Sequence, residues 1–361
     1  ARAANGRVGV AMALAIGHVT GQVLAMILAR VMCWRICPAI RFSLSRVTKA
    51  GLKHLLSLGG RFQLLAVMAM AITDGIKILI SAMCGGPDVV GQYDLAEKLL
   101  TLAKSFSSSL IAPLMPAFAH LHAGQDVARK HSLFISSSKL VAITAAAALA
   151  ATVVFADPLL AAWAGQECPL AAWTIRVMAA GYFFWLMTGV GTASLRGQGT
   201  VRLELTNAVI RTLIAAAIIV PLFVSWGGEP LYKRWGYEGI ILGVLLSRVV
   251  SSIWFLAAFS KEEGTGFISY AREILGKTIL VGVLGVLGGF LFQNLVHDWV
   301  PSWSVRWQAA FQVLVWGSIF GLLLCIGLWY GVLARMERNF FSSKVFSIWN
   351  GWAKLASVTR T

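Results

Sequence analysis

Apolar runs of about twenty residues recur along almost the whole chain, and this feature limits the possible folds more than any other. A helix needs about 20 residues to cross a hydrocarbon layer of about 30 Å. Nine segments are predicted to be such helices: 8–30, 59–83, 90–117, 135–156, 171–194, 205–225, 237–259, 275–296 and 308–333. Only 13% of the 361 residues are charged, against about a quarter in soluble domains. We therefore predict an all-α, polytopic membrane protein with about nine transmembrane helices.

The Lys and Arg residues alternate between loops, and this alternation predicts the orientation of the chain. The loops after the first, third, fifth and seventh helices and the tail are rich in them, whereas the intervening loops hold only Lys233, Arg234 and Arg306. Basic residues are retained on the cytoplasmic side, so we place the loop from Arg30 to Lys53 in the cytoplasm. The net charge of +16 follows this pattern instead of forming one basic surface, which argues against nucleic-acid binding.

Catalytic and metal-binding patterns are not evident in the sequence. The five cysteines are scattered without the paired spacing of a zinc site or a disulfide framework. The predicted outward loops are short, so an enzyme would have to act inside the helical bundle. We predict no cofactor, no metal ion and no catalytic residue.

Ionisable residues inside predicted helices are the first candidates for a functional site. A charge at bilayer depth costs at least about 2.5–3.5 kcal/mol, so it needs a partner, a water-filled cavity or a function. Asp74 and Lys77 lie three positions apart on the second helix, where they can neutralise each other. The third helix carries a charged stripe of Asp94, Glu97, Lys98 and Lys104. Structural ion pairs and a cavity role both explain these groups.

Four arginines form a second set of candidates, because no acidic residue lies three or four positions away on the same helix. They are Arg61, Arg176, Arg211 and Arg248. Arginine stays charged at any depth and binds phosphate through its planar fork. Arg61 and Arg211 lie near predicted cytoplasmic helix ends, where snorkelling towards the membrane surface also explains them.

The stretch from Asp74 to Pro116 resembles a known family. An acidic residue, the turn Gly85-Gly86-Pro87, a Val-Gly-x-Tyr-like element over 90–99 and a helix ending near Pro113 occur in this order. This order is similar to the start of the second lobe in O-antigen and exopolysaccharide (Wzx-type) flippases of the multidrug/oligosaccharidyl-lipid/polysaccharide exporter superfamily. The stretch 235–239, Trp-Gly-Tyr-Glu-Gly, looks like that family's entry to a later helix.

The resemblance implies that the chain is the C-terminal part of a two-lobed transporter of fourteen helices, with the first five helices absent. The implied domains are the last helix of the N-terminal lobe, a basic cytoplasmic inter-lobe loop, the C-terminal six-helix lobe, two additional transmembrane helices and a basic, aromatic cytoplasmic tail. Their expected ranges are 1–33, 34–58, 59–260, 261–334 and 335–361.

The resemblance also implies transport of an undecaprenyl-diphosphate-linked oligosaccharide across a bacterial inner membrane by alternating access. The bilayer and this lipid are the expected partners, with polysaccharide polymerase machinery as a further candidate and no nucleic acid. The expected cationic cavity residues are Arg61, Lys77, Lys98, Arg176, Arg211 and Arg248. The expected coupling or ion-pair residues are Asp74, Asp94 and Glu97.

Other functions remain open from the sequence. A cation-coupled multidrug exporter of the same superfamily would have a cavity dominated by acidic residues. A membrane glycan polymerase or ligase would carry a large outward loop with basic and His residues. A non-transporting scaffold is the third alternative.

Overall fold

The computed structural model describes residues 2–36, 48–223, 232–264, 266–296 and 304–333. These residues form helices joined by short connections, and no strand occurs among them. Within this part of the chain, 8 helical segments are long and apolar enough to cross a membrane. The chain is therefore an all-α polytopic membrane protein, as predicted.

The described residues contain thirteen α-helices. In chain order they are α1 (Arg2–Ile36), α2 (Lys49–Met83), α3 (Pro87–Ile111), α4 (Leu114–Ala123), α5 (Val127–Val154), α6 (Ala156–Ala164), α7 (Pro169–Gly197), α8 (Arg202–Ile219), α9 (Tyr232–Glu262), α10 (Phe267–Tyr270), α11 (Lys277–Val296), α12 (Val305–Phe311) and α13 (Ser318–Val332). π-Helical turns at Ala271–Gly276 and Gln312–Gly317 join α10 to α11 and α12 to α13.

A helix lies at each predicted segment, but several ends differ from the prediction. The segment predicted at 90–117 is wrong at its end: α3 stops at Ile111, and α4 follows after Pro113, which has no N–H to donate and stands at the N-cap of α4. Helix α5 begins at Val127 and not near 135. The side chain of Asp126 caps it by accepting a hydrogen bond of 3.0 Å from the backbone N–H of Arg129.

Helix α3 is too polar to count among the 8 apolar segments, although a transmembrane helix was predicted there. One face of α3 is apolar and buried, and its members recur three or four positions apart from Tyr93 to Ser107. This face packs against α5 and α7. The carboxylates of Asp94 and Glu97 on α3 lie against Lys77 of α2, so the charged side of this helix contacts protein.

Helix α7 lies at the centre of the bundle, between α3, α5 and α9, and α8 packs on α9. Helices α11 and α13 pack against α5. Small residues on α7 allow a neighbouring helix, α4, to approach its backbone closely. A Cβ at Gly197 would lie 2.8 Å from the carbonyl oxygen of Met115, so α4 passes directly over this glycine.

The chain divides into two compact units, residues 1–60 and 61–361, with the boundary inside α2. The first unit contains α1, and the second contains every contact discussed below. The domain boundaries expected from the resemblance stay predictions. The predicted tail at 335–361 and residues 37–47 of the predicted basic loop lie outside the described residues.

Candidate functional site

A cavity of about 710 Å³ lies within the second unit, with walls from α2, α3, α4, α7, α8 and α9. Its lining follows α7 from Tyr182 to Arg196, which corresponds to about 21 Å along the helix axis. Phe62 and Met115 line the end near Arg196 and are 38% and 46% exposed. This end lies on the side predicted to be cytoplasmic. With that orientation, the stretch of α7 along the cavity corresponds to more than half of a hydrocarbon layer of about 30 Å.

Three cations and two aromatic rings form the deeper part of the cavity, and we call these five residues the cation–aromatic cluster. The guanidinium carbon of Arg248 lies 4.4 Å from the ring centre of Tyr182. The Nζ atom of Lys104 lies 5.9 Å from the same ring centre and 4.7 Å from that of Trp185. Arg211 of α8, which lines the same cavity, completes the cluster. The aromatic faces attract the cations, so they hold like charges close together.

The two carboxylates that line the cavity have other partners. Glu97 lies 3.2 Å from the Nζ atom of Lys77, and Glu204 accepts hydrogen bonds of 2.9 and 2.5 Å from Arg196. Among the described residues, the three cations of the cluster therefore have no ion-pair partner. The cavity carries an excess of positive charge, because four basic and two acidic side chains line it.

Several buried polar atoms of the cavity also lack a hydrogen-bond partner within the described part of the chain. They are Nε of Arg211, Nη1 of Arg248 and Oδ1 of Asn207. Buried polar groups are normally hydrogen-bonded, since an unpaired one costs about 1–3 kcal/mol and a charged one costs more. Arg211 and Arg248 both line the cavity, and guanidinium groups are donors that suit an anionic acceptor.

The mouth of the cavity is bridged by the bidentate pair of Arg196 and Glu204, which joins the end of α7 to the start of α8. The guanidinium of Arg196 also lies 5.5 Å from the ring centre of Phe62 on α2. Arg196 is thus neutralised and positioned at the entrance, whereas the unpaired cations lie deeper.

A network of charges connects α2 to α3 beside the cavity. Lys77 donates a hydrogen bond of 2.7 Å to Asp94, and Lys98 lies 2.9 Å from the same carboxylate. Together with the Lys77–Glu97 contact, these pairs cancel most of the charge that α3 brings into the membrane.

The predicted site residues separate into three groups in the structure. Arg211, Arg248 and Glu97 line the cavity. Lys77, Lys98 and Asp94 belong to the network between α2 and α3.

The third group of predicted residues does not line the cavity. Arg176 is paired with Asp157 at the far end of α7, with its guanidinium 5.7 Å from the ring centre of Phe290. Arg61 and Asp74 are exposed on α2. The pairing suggested for Asp74 and Lys77 is not observed, because Lys77 turns towards the two carboxylates of α3.

Sequence reasoning missed part of the cluster. Lys104 was included in the charged stripe of α3 but not among the cavity residues. Tyr182 and Trp185 were not singled out, although the aromatic run from Tyr182 to Trp185 in an apolar helix was a visible signal. Asn207, buried on α8, also lines the cavity and was not predicted.

Two solved structures of known proteins are similar to this chain. No protein-family model matches the sequence, and no curated protein matches it. One similar structure is a multidrug resistance MATE family transporter of the MOP superfamily in an outward-facing conformation, with 19% identity and a TM-score of 0.48. Another is a MOP superfamily transporter from Pyrococcus furiosus, described as having a binding pocket of reverse polarity that suggests a different function, with 19% identity and a TM-score of 0.46. Each match covers 77% of this chain and 63% of the other chain. The flippase assignment stays a prediction.

Proposed function

We propose that this chain is part of a transporter that moves an anionic, lipid-linked oligosaccharide across a bacterial inner membrane by alternating access. The observation that carries the proposal is the cation–aromatic cluster inside a cavity at membrane depth. In this proposal, the cluster binds the diphosphate of an undecaprenyl-diphosphate-linked substrate. The family resemblance of residues 74–116 is the second support.

The chemistry of the cluster favours an anionic substrate. Lys104, Arg211 and Arg248 repel one another when the cavity is empty, and a diphosphate in the same place would neutralise them. Arginine donates two parallel hydrogen bonds to phosphate oxygens, and lysine adds a point charge. Tyr182 and Trp185 offer apolar faces on which sugar rings can stack.

A cation-coupled multidrug exporter is the second candidate, and Glu97 is the residue that favours it, because it is a carboxylate on the cavity wall. Glu97 is, however, already compensated by Lys77 at 3.2 Å. An exporter of cationic drugs would require a carboxylate free to bind cargo or ion. Uptake of a cationic dye by vesicles that contain the protein distinguishes the two candidates, since the exporter predicts transport and our proposal predicts none.

The test of the proposed function is the amount and sidedness of undecaprenyl-diphosphate-linked oligosaccharide in cells that lack the gene. We expect the lipid to accumulate on the cytoplasmic face and the intact gene to relieve the accumulation. Genes carrying Arg211→Gln or Arg248→Gln should fail to relieve it at equal membrane abundance. Arg176→Gln is the matched control, because Arg176 is paired outside the cavity, and it should relieve accumulation like the wild type.

Other outcomes point to the alternatives. Accumulation on the outer face would indicate a polymerase or ligase. Unchanged lipid levels would refute the flippase proposal and leave the drug exporter or the scaffold. Full relief by both cavity variants would refute the role of the cluster.

A further inference from the structure

Helix α2 carries a carboxylate at membrane depth that no basic group in the described part of the chain neutralises. The stretch from Asp74 to the end of α2 at Met83 corresponds to about 14 Å along the helix axis, so Asp74 lies near the middle of a hydrocarbon layer of about 30 Å. Asp74 is exposed, and its side chain has no ion pair or hydrogen bond with another described residue. Lys77, the nearest basic residue on the helix, contacts Asp94 and Glu97 instead. Carboxylates at this depth usually pair with a group of opposite charge.

A groove beside Asp74 has the lining of a helix-packing site. It lies between α2 and α8, has a volume of about 370 Å³, and is lined by residues between 71 and 79 of α2 and between 212 and 220 of α8. Each stretch corresponds to about 12 Å, or about two turns of helix. Small residues recur four positions apart on both walls, at Ala71 and Gly75 and at Thr212 and Ala216. In a membrane, small residues at this spacing let another helix approach closely.

Asp74 lies at the rim of this groove. Ala71 and Ile78 both line the groove, and they share a face of α2 with Asp74 because they lie three and four positions from it. This side of α2 is uncovered above and below the carboxylate, since Met70 and Ile78 are 61% and 68% exposed. A helix seated in the groove would therefore pass beside Asp74.

The charge of Asp74 distinguishes the candidate occupants of the groove. Lipid chains offer nothing that neutralises a carboxylate. A second copy of this chain, packed symmetrically on the same face, would bring two Asp74 carboxylates together, and like charges repel. A helix with a basic residue supplies the missing opposite charge. Helices associate in lipid through close packing and polar contacts, not by leaving water, and this surface provides for both.

We infer that Asp74 and the groove between α2 and α8 form a docking surface for a transmembrane helix, not among the described residues, that carries a lysine or arginine at the depth of Asp74. The backbone of the partner helix packs on the small residues of the groove, and its cation pairs with the carboxylate at the rim. This inference goes beyond the proposed function and does not depend on what the cavity binds.

The test uses synthetic transmembrane peptides of leucine and alanine as probes. One peptide has a single lysine at its centre, and a second has leucine at that position. Energy transfer measures the association of each labelled peptide with the purified, labelled chain in nanodiscs of phosphatidylcholine. A polar contact between transmembrane helices changes association about five- to thirtyfold. We expect the wild type to bind the lysine peptide at least about fivefold more tightly than the leucine peptide.

Variants of Asp74 test the charge. Asp74→Asn should bind the two peptides equally, because its side chain no longer attracts a cation. Asp74→Lys should prefer a third peptide that has glutamate at its centre. Asp88→Asn is the control, since it removes an exposed carboxylate in the first turn of α3, away from the groove lining, and it should keep the wild-type preference.

Two neighbouring alanines on α8 test the groove. Ala216 lines the groove, whereas Ala217 is also exposed but does not line it. Ala216→Phe should fill the groove and weaken binding of both the lysine and the leucine peptide. Ala217→Phe adds the same side chain beside the groove and should bind both peptides like the wild type.

Four results would overturn the inference. Equal binding of the lysine and leucine peptides by the wild type would mean that Asp74 needs no basic partner. A preference that persists in Asp74→Asn would mean that another group attracts the lysine peptide. Equal weakening in Ala216→Phe and Ala217→Phe would place the docking surface elsewhere. Stronger energy transfer between two labelled copies of the chain than to the lysine peptide would make a second copy the occupant. Each of these results leaves the test of the cavity unaffected.

Discussion

Replacing Arg248 by Met removes one charge from the cavity while keeping a side chain of similar length. The Cβ and Cδ atoms of Arg248 pack over Gly181, each 3.5 Å from where a Cβ would lie at that glycine. Met can retain this packing. The variant therefore reports on the guanidinium and not on a lost contact of the stem.

The expected effect of Arg248→Met on the stability of the ligand-free protein has two opposing contributions: relief of charge repulsion and loss of a cation–π contact. Arg248 and Lys104 lie 4.4 and 5.9 Å from the same ring centre of Tyr182, so their charges are at most about 10 Å apart. Their repulsion is then at least about 1.6 kcal/mol in an effective dielectric of 20, and about a quarter of that in water. The lost cation–π contact with Tyr182 costs about 1 kcal/mol. The substitution also removes the buried Nη1, a donor without a hydrogen-bond partner among the described residues. We therefore expect Arg248→Met to be at least as thermally stable as the wild type.

The effect on anion binding has the opposite sign. A hydrogen bond to a charged group contributes about 1.5–3 kcal/mol, so losing it weakens diphosphate binding roughly ten- to hundredfold. Thermal unfolding of the purified protein, followed by tryptophan fluorescence with and without diphosphate, measures both effects. Diphosphate should raise the melting temperature of the wild type much more than that of the variant.

Arg176→Met is the control for this prediction. Arg176 is paired with Asp157 outside the cavity, so its loss leaves a carboxylate without its cation. This variant should be no more stable than the wild type and should bind diphosphate normally. A large loss of stability in Arg248→Met together with unchanged diphosphate binding would refute the reasoning, because Arg248 would then be a structural residue.

Three further variants test the packing and charges around the cavity. Lys77→Met should lower the melting temperature, because two carboxylates of α3 lose the cation they share, and neutralising one of them should restore part of the loss. Trp185→Leu should change the affinity for inorganic diphosphate by less than about threefold, since the ring only flanks the Lys104 cation. The same variant should bind a diphosphate that carries a sugar more weakly than the wild type does. Equal weakening for both ligands would contradict a stacking role of the ring. Gly197→Ala should lower the free energy of unfolding by about 1–3 kcal/mol, because its Cβ would lie 2.8 Å from the backbone of α4. Gly91→Ala is the control: its Cβ would meet open space, so this variant should not destabilise the protein.

The apolar pattern of the sequence was sufficient to predict the helices, because membrane insertion depends on length and local composition. A helix occurs at each of the nine predicted segments. The errors concern the ends, such as the early start of α5 at the Asp126 cap and the break at Pro113. Such ends depend on single hydrogen bonds and on individual prolines, which hydropathy does not describe.

The charges inside the membrane could be found in the sequence, but their roles could not. Within the charged stripe of α3, Asp94 and Lys98 lie four positions apart, a spacing that favours an ion pair, and this pair is present at 2.9 Å. It could not predict that Lys77 would turn to Asp94, 17 positions away on the next helix.

The tertiary structure alone distinguished paired cations from unpaired ones. Arg176 and Arg248 looked alike in the sequence, since neither has an acidic neighbour on its own helix. The fold brings Asp157 to Arg176 and directs Arg248 into a cavity with Arg211 and Lys104. The sequence determined that this protein carries charge into the membrane, because residue types and helix lengths are local properties. The packing of helices decided which charges remain free to bind an anion, because ion pairing depends on distances between residues that are far apart in the chain.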